Sequence, residues 1–248
     1  MLKDQKTLAY INMFAVLGSL QELCTEAHEE TARILTNKKP ISVAMTVKGG
    51  PSATFTFKDG YCTVVPGLQN CQVKLPFGSC EKFNGLIDGT VTPIPSKGFT
   101  HIGFLTGDFT RLTDLLSFYL QKAPEDNETS TKLLFYTVAS AIAQVGNHDE
   151  IGRFSASNIV DGTAMLSIKG GPKASILCKD HVLTTVKKEP ETPRAVMEFG
   201  SLSLARQLFD GKVNSFACIG NGEIAISGMV SMIDNINRIL DRVAVYLS

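Results

Sequence analysis

The sequence predicts an α+β protein made of two similar units, each a sheet of mostly antiparallel strands with helices packed on one face. Three observations carry this. The thirteen residues from Val47 to Asp59 recur from Ile168 to Asp180, with seven identities and a displacement of 121 positions in a chain of 248. A repeat displaced by half the chain marks a duplication. Around both copies apolar residues alternate with period two, as strands covered on one side require. Before and after them the apolar spacing becomes helical.

In chain order, Leu8, Ile11, Phe14, Leu17, Leu20, Cys24 and Ala27 mark the apolar face of a helix within residues 7–36, which Pro40 closes. Val43, Met45 and Val47 then alternate with smaller neighbours, in phase with Ala164, Leu166 and Ile168. The shared Lys-Gly-Gly-Pro leads to Ala53, Phe55 and Phe57, answered by Ala174, Ile176 and Cys178, so each copy reads as an antiparallel hairpin. A third strand is expected at Tyr61–Val65 and Val182–Val186, and a fourth carries Val73, Leu75 and Phe77, or Ala195, Met197 and Phe199. Ser79 and Ser201 sit where a serine caps a new helix, and Gly89 and Gly211 end those helices. Further strands are expected at Phe99–Leu105 and Glu223–Ser227, each followed by an amphipathic helix. The last helix buries Met232, Ile236, Ile239, Leu240 and Val243. Leu133 to Val145 is apolar almost all round, which predicts a helix buried between layers, lobes or subunits. The polar stretch Ala123–Ser130 separates the units, giving domains 1–126 and 127–248.

Composition excludes several functions. Lys plus Arg and Asp plus Glu both total 24, twelve of each sign in either half, so no basic excess exists to bind nucleic acid. At 44% hydrophobic and 19% charged residues the chain has the balance of a core-forming protein. No stretch is long and apolar enough to span a bilayer, and the first residues do not form a signal-peptide pattern. Six cysteines without close pairing suit a reduced, cytoplasmic protein.

Candidate chemistry is sparse. Glycine-rich phosphate loops lead from a strand into a helix, whereas here the glycines precede a proline and another strand; the motif reads as a turn. His28, His101, His148 and His181 are scattered, and Cys62, Cys71 and Cys80 lie nine positions apart, so neither set has the spacing of metal ligands. His148-Asp149-Glu150 is the remaining cation candidate, and His181 the remaining catalytic one, each with a plain turn or surface role as its alternative. The two Phe-Gly-Ser motifs lack the frame of a hydrolase serine. No catalytic residue, metal site or cofactor is expected. What remains is apolar: Phe83, Leu86, Ile87, Phe104, Phe109 and Leu112 in the first half, with Leu204, Leu208, Phe209, Phe216, Ile224, Ile226 and Met229 in the second.

From Phe199 to Val213 and from Gly222 to Gly228 the chain resembles the C-terminal half of the sterol carrier protein (non-specific lipid-transfer protein) family. There a short capped helix ends in Gly-Lys-Leu and is followed by a strand of the form Gly-x-Leu-x-Ile-x-Gly and a closing helix. The likeness covers roughly residues 163–245 and reaches the first half through the duplication. Thr92-Pro-Ile-Pro95 and Phe99–Leu105 depart from the pattern. The resemblance implies a five-stranded sheet in each domain and an apolar tunnel between sheet and helices that binds a fatty acyl or sterol-like lipid without catalysis. On the matching positions Leu204, Leu208, Phe209, Ile224, Ile226, Met229 and Met232 would line it. The implied partner is a lipid or another apolar small molecule. The competing expectation is a ligand-free scaffold of the same fold, self-associating through the Leu133–Val145 helix.

Overall fold

A computed structural model describes residues 3–247, with Phe216 described by its backbone alone; the Phe216 side chain, counted above among the apolar set, lies outside the described residues. The chain divides into two compact units, Asp4–Lys122 and the residues from Ala123 onward.

In the first unit β1 (Ile41–Val47), β2 (Ser52–Lys58), β3 (Tyr61–Pro66) and β4 (Val73–Phe77) form a sheet in the order β3-β2-β1-β4. The neighbours β1–β2 and β2–β3 pair antiparallel, while β4 lies parallel to β1. Val43, Met45, Phe55, Phe57, Val73 and Leu75 all point into the core, as their alternation requires. The Lys-Gly-Gly-Pro motif is the β1–β2 turn. Gly49 has φ +74°, where a side chain would be strained, and the Gly50 N–H donates to the Val47 carbonyl at 3.1 Å.

The second unit repeats this with β5 (Gly162–Ile168), β6 (Lys173–Lys179), β7 (Val182–Val186) and β8 (Ala195–Phe199), then adds β9 (Ile224–Gly228). Its order is β7-β6-β5-β8-β9, with β8 parallel to β5 and antiparallel to β9. Ser79 and Ser201 cap the following helices as expected, their Oγ atoms accepting from the Lys82 and Leu204 N–H groups at 3.3 and 3.1 Å.

Three expectations are corrected. Both sheets are mixed, not mostly antiparallel: a run of hairpins would place each strand beside its predecessor, yet the chain returns past β1 and β5 to their free edges, which forces a parallel pair. The first sheet has four strands, not five. Phe99–Leu105 is helical, the start of a continuous helical stretch to Lys122. The reason is chain length. Ser227 pairs with β8 sixteen positions after Gly211, whereas Lys97 meets β4 only eight positions after Gly89. The missing residues correspond to the helix Ser215–Gly220 and most of β9. All that remains of a fifth strand is one bridge, Lys74 to Lys97.

The helix Glu128–His148 is buried along most of its circumference, with Leu133, Phe135, Val138, Ile142 and Val145 all inside the second unit. It packs against β6, β7 and the helices Glu150–Ala156, Leu202–Phe209 and Val230–Leu247, so its apolar surface is taken up within that unit. Among the described residues no helix is long and apolar enough to cross a membrane.

One buried ion pair closes the second unit. Asp149 accepts from the Gly152 N–H at 2.9 Å, from Arg242 Nε and Nη2 at 3.1 and 2.7 Å, and from the Tyr246 hydroxyl at 2.8 Å. Burial acts to raise its pKa, but these donors together hold it below the ordinary value of 3.8. A depressed folded-state value contributes stability that is complete above the unfolded pKa and is lost as pH falls through the folded one. We predict that Arg242→Met costs the second unit about 3–5 kcal/mol, since it strands a buried carboxylate. In urea melts Asp149→Asn should flatten the loss of stability below about pH 4; an unchanged acid limb would contradict this.

Candidate functional site

The missing fifth strand leaves a cavity of about 660 Å³ in the first unit. Its floor is Val16 and Leu17 of the N-terminal helical segment with Leu75 of β4; one wall is Leu86, Ile87 and Gly89 at the end of the helix Cys80–Ile87. The extended segment Val91–Pro95 forms a second wall, and the helical stretch from Phe99 to Gln121 forms the third. Thr92-Pro-Ile-Pro95 cannot be helical, because each proline disfavours the helical conformation in the residue before it and lacks an N–H. The segment therefore bridges the opening as an irregular strap. Gly98 then turns the chain with φ +87°; a Cβ there would lie 2.3 Å from the Gln72 carbonyl oxygen, so only glycine lets the strap close against β4.

The helical stretch is anchored on its other side. Phe57 of β2 packs against Phe104 and Phe109, with ring centroids 5.5 and 5.8 Å apart. The Tyr119 hydroxyl donates to Glu30 at 2.6 Å, and burial followed by this carboxylate pushes the Tyr119 pKa up to about 12. On the opposite wall, Asn12 donates to Asn84 at 3.1 Å and Asn84 to the Gln5 side chain and backbone at 2.8 and 3.0 Å. This buried amide cluster fixes the N-terminal helix against the helix Cys80–Ile87 just below the cavity. The walls are thus held by contacts outside the cavity.

Three π-helical turns occur among the described residues, Asn12–Val16, Leu105–Phe109 and Phe118–Lys122, and each contributes to the cavity wall. A π-turn widens a helix locally and is frequent at functional sites. The lining is chiefly apolar, but Thr106, Thr110, Thr113, Asp114, Ser117 and Gln121 run along one side of the last helical stretch. Ile94, Phe99 and Ile102 are exposed beside the opening.

The second unit is different. Its interior void is about 10 Å³, at the limit for one water, and is filled by Phe135, Met197, Phe199, Phe209, Ile236 and Leu240. Of the residues that the resemblance placed along a tunnel, Phe209 reaches this void. Leu204, Ile224 and Met232 are buried in the core, and Leu208, Ile226 and Met229 are half-buried. The position matching Phe209 in the first unit is Ile87. The Phe209 ring stacks edge-on against Phe199 at 5.9 Å and tilts against Phe135 at 6.5 Å, whereas Ile87 leaves that volume open. Leu86, Ile87 and Phe109 belong to the apolar set legible in the sequence; Leu105 was expected in a strand, and Leu116 and Leu120 were not singled out on the helix expected to follow it. The departure at Thr92–Pro95 was the available signal.

His148-Asp149-Glu150 is not free for a cation, since Asp149 is committed to Arg242 and Tyr246. His181 lies exposed in the β6–β7 turn with φ +62°. No cluster of metal-ligating side chains occurs among the described residues.

The two units should respond unequally to changes of volume at the matching position. Phe209→Ala should destabilise the second unit by about 2–3 kcal/mol, less than the ~3–5 of a fully buried phenylalanine because the ring is half-exposed. Ile87→Phe places its ring in existing space and should cost under about 1 kcal/mol, as measured by chemical denaturation. Equal losses would contradict the contrast.

No protein-family model and no curated protein matches the chain. Among solved structures it is similar to the sterol carrier protein domain 2 of Helicoverpa armigera, with 15% identity, a TM-score of 0.37, and coverage of 45% of this chain and 88% of that one. It is also similar to a UbiJ-SCP2 ubiquinone synthesis protein, with 13% identity, a TM-score of 0.34, and coverage of 43% and 95%. Similarity to the apo form of sterol carrier protein 2 from Yarrowia lipolytica has 17% identity, a TM-score of 0.31, and coverage of 40% and 91%.

Proposed function

We propose that the first unit binds a lipid-like apolar molecule in its cavity and carries it without chemical change, while the second unit is a filled scaffold. The observation that supports this most is the contrast in volume, about 660 Å³ against about 10 Å³ in two units of one design. Ligand cavities fall at ~300–1,000 Å³ with mainly apolar linings and few polar groups. An apolar cavity of only ~150 Å³ already takes up benzene. Unfilled apolar volume lowers stability, a cost that a bound apolar molecule would offset.

Binding suits the lining better than catalysis. Among the described residues no histidine or cysteine faces the cavity, and Asp114 is the only ionisable side chain on its wall; a hydroxyl nucleophile would need an adjacent base to activate it. The six cysteines are free and buried, which suits a reducing compartment.

A neutral solvatochromic dye such as Nile red should bind the full chain saturably at about one molecule per chain. The double variant Ile87→Phe/Leu120→Phe, folded by circular dichroism, should lose at least ~10-fold in affinity. Absence of saturable binding, or binding unchanged in that variant, would overturn the proposal.

A further inference from the structure

The polar side of the cavity lies toward solvent, with Thr106, Thr110, Asp114 and Gln121 exposed, and its hydroxyls already donate along their own helix. The hydroxyl of Thr106 donates to the Ile102 carbonyl at 3.0 Å, and that of Thr110 to Leu105 at 2.9 Å. The hydroxyl of Thr113 is shared between the Phe109 and Thr110 carbonyls at 3.2 and 2.8 Å. Ser117 points its hydroxyl at Gln121 Oε1, 3.5 Å away. A hydroxyl whose proton is already given to its own helix offers a ligand only lone pairs. Asp114, between Thr110 and Ser117 on the same stretch, adds a carboxylate, which when ionised accepts and never donates. Among the described residues no Lys, Arg or His lines the cavity.

Resting on the proposed binding role, we infer that this cavity selects amphiphiles by head group: it takes an apolar chain ending in a hydrogen-bond donor, a long-chain alcohol or amine, and rejects a carboxylate or phosphate head. A carboxylate brought to this wall meets the like charge of Asp114 and a row of hydroxyls whose protons are already given to the helix, with the Gln121 amide as the donor that the stretch offers it. An alcohol gives its proton to a threonine oxygen. An ammonium gains in addition the attraction of the exposed Asp114 carboxylate. Gln121 retains an amide N–H₂, which a hydroxyl can accept from while donating elsewhere.

The test is competition for the bound dye by dodecanol, dodecylamine and dodecanoate, matched in chain length and kept below their critical micelle concentrations at pH 8. The alcohol and the amine should displace the dye at concentrations at least ~10-fold lower than the carboxylate. Asp114→Asn should shrink the amine–carboxylate gap ~5-fold, and Asp114→Lys should reverse it. Dodecanoate binding as tightly as the other two, or a gap unmoved by Asp114→Asn, would overturn the head-group selectivity while leaving the binding role intact. Failure of the dye itself to bind overturns the binding role and the selectivity with it.

Discussion

One backbone bridge governs the first unit. Lys74 and Lys97 pair through Lys74 N–H to Lys97 O at 3.2 Å and Ser96 N–H to Lys74 O at 2.9 Å. In the second unit the same edge carries five consecutive pairs between β8 and β9. With eight fewer residues between the capped helix and this edge, the chain touches β4 once and leaves. Everything distinctive about the first unit follows: the strap of alternating prolines, the turn at Gly98, the helical stretch where its counterpart has a strand, and the space between them. A strand closes an edge with a continuous ladder of hydrogen bonds; a single bridge can hold a strap in place and still leave volume behind it.

The two units show how one design is either closed or kept open. In the second, β9 and the helix Val230–Leu247 bring Ile236 and Leu240 over the sheet, and the Phe209 ring fills what remains. The Asp149–Arg242 pair then fastens that last helix from behind. In the first, the equivalent helical stretch is held by Phe104 and Phe109 on Phe57 and by Tyr119 on Glu30. Its π-turns, Leu105–Phe109 and Phe118–Lys122, each contribute residues to the cavity wall. Rigid attachment behind and irregular backbone in front is an arrangement that preserves a cavity instead of letting it collapse.

Much of the architecture was legible from residues alone, because it is local. The repeat, the phase of Val43, Met45, Phe55 and Phe57, the Gly49 turn and the Ser79 and Ser201 caps depend on neighbours a few positions away. The parallel pairing of β4 with β1 is set by non-local packing and has no signature at either strand. Phe99-Thr-His-Ile-Gly-Phe-Leu105 reads as a strand by its aromatic and branched residues, yet tertiary context overrides that preference once no room for an edge strand exists. The cavity was hardest to see for a related reason. It is defined by residues the first half lacks, and the apolar positions that stood out in the second half mostly pack against one another.

The central claim is that an apolar ligand enters the first unit and not the second. Methyl NMR of the full chain with labelled Ile, Leu and Val, titrated with dodecanol, reads both interiors at once. Shifts are expected at Ile87, Leu105, Leu116 and Leu120 with Leu166, Ile236 and Leu240 unmoved. Shifts confined to Leu166, Ile236 and Leu240, or none anywhere at saturating ligand, would contradict it.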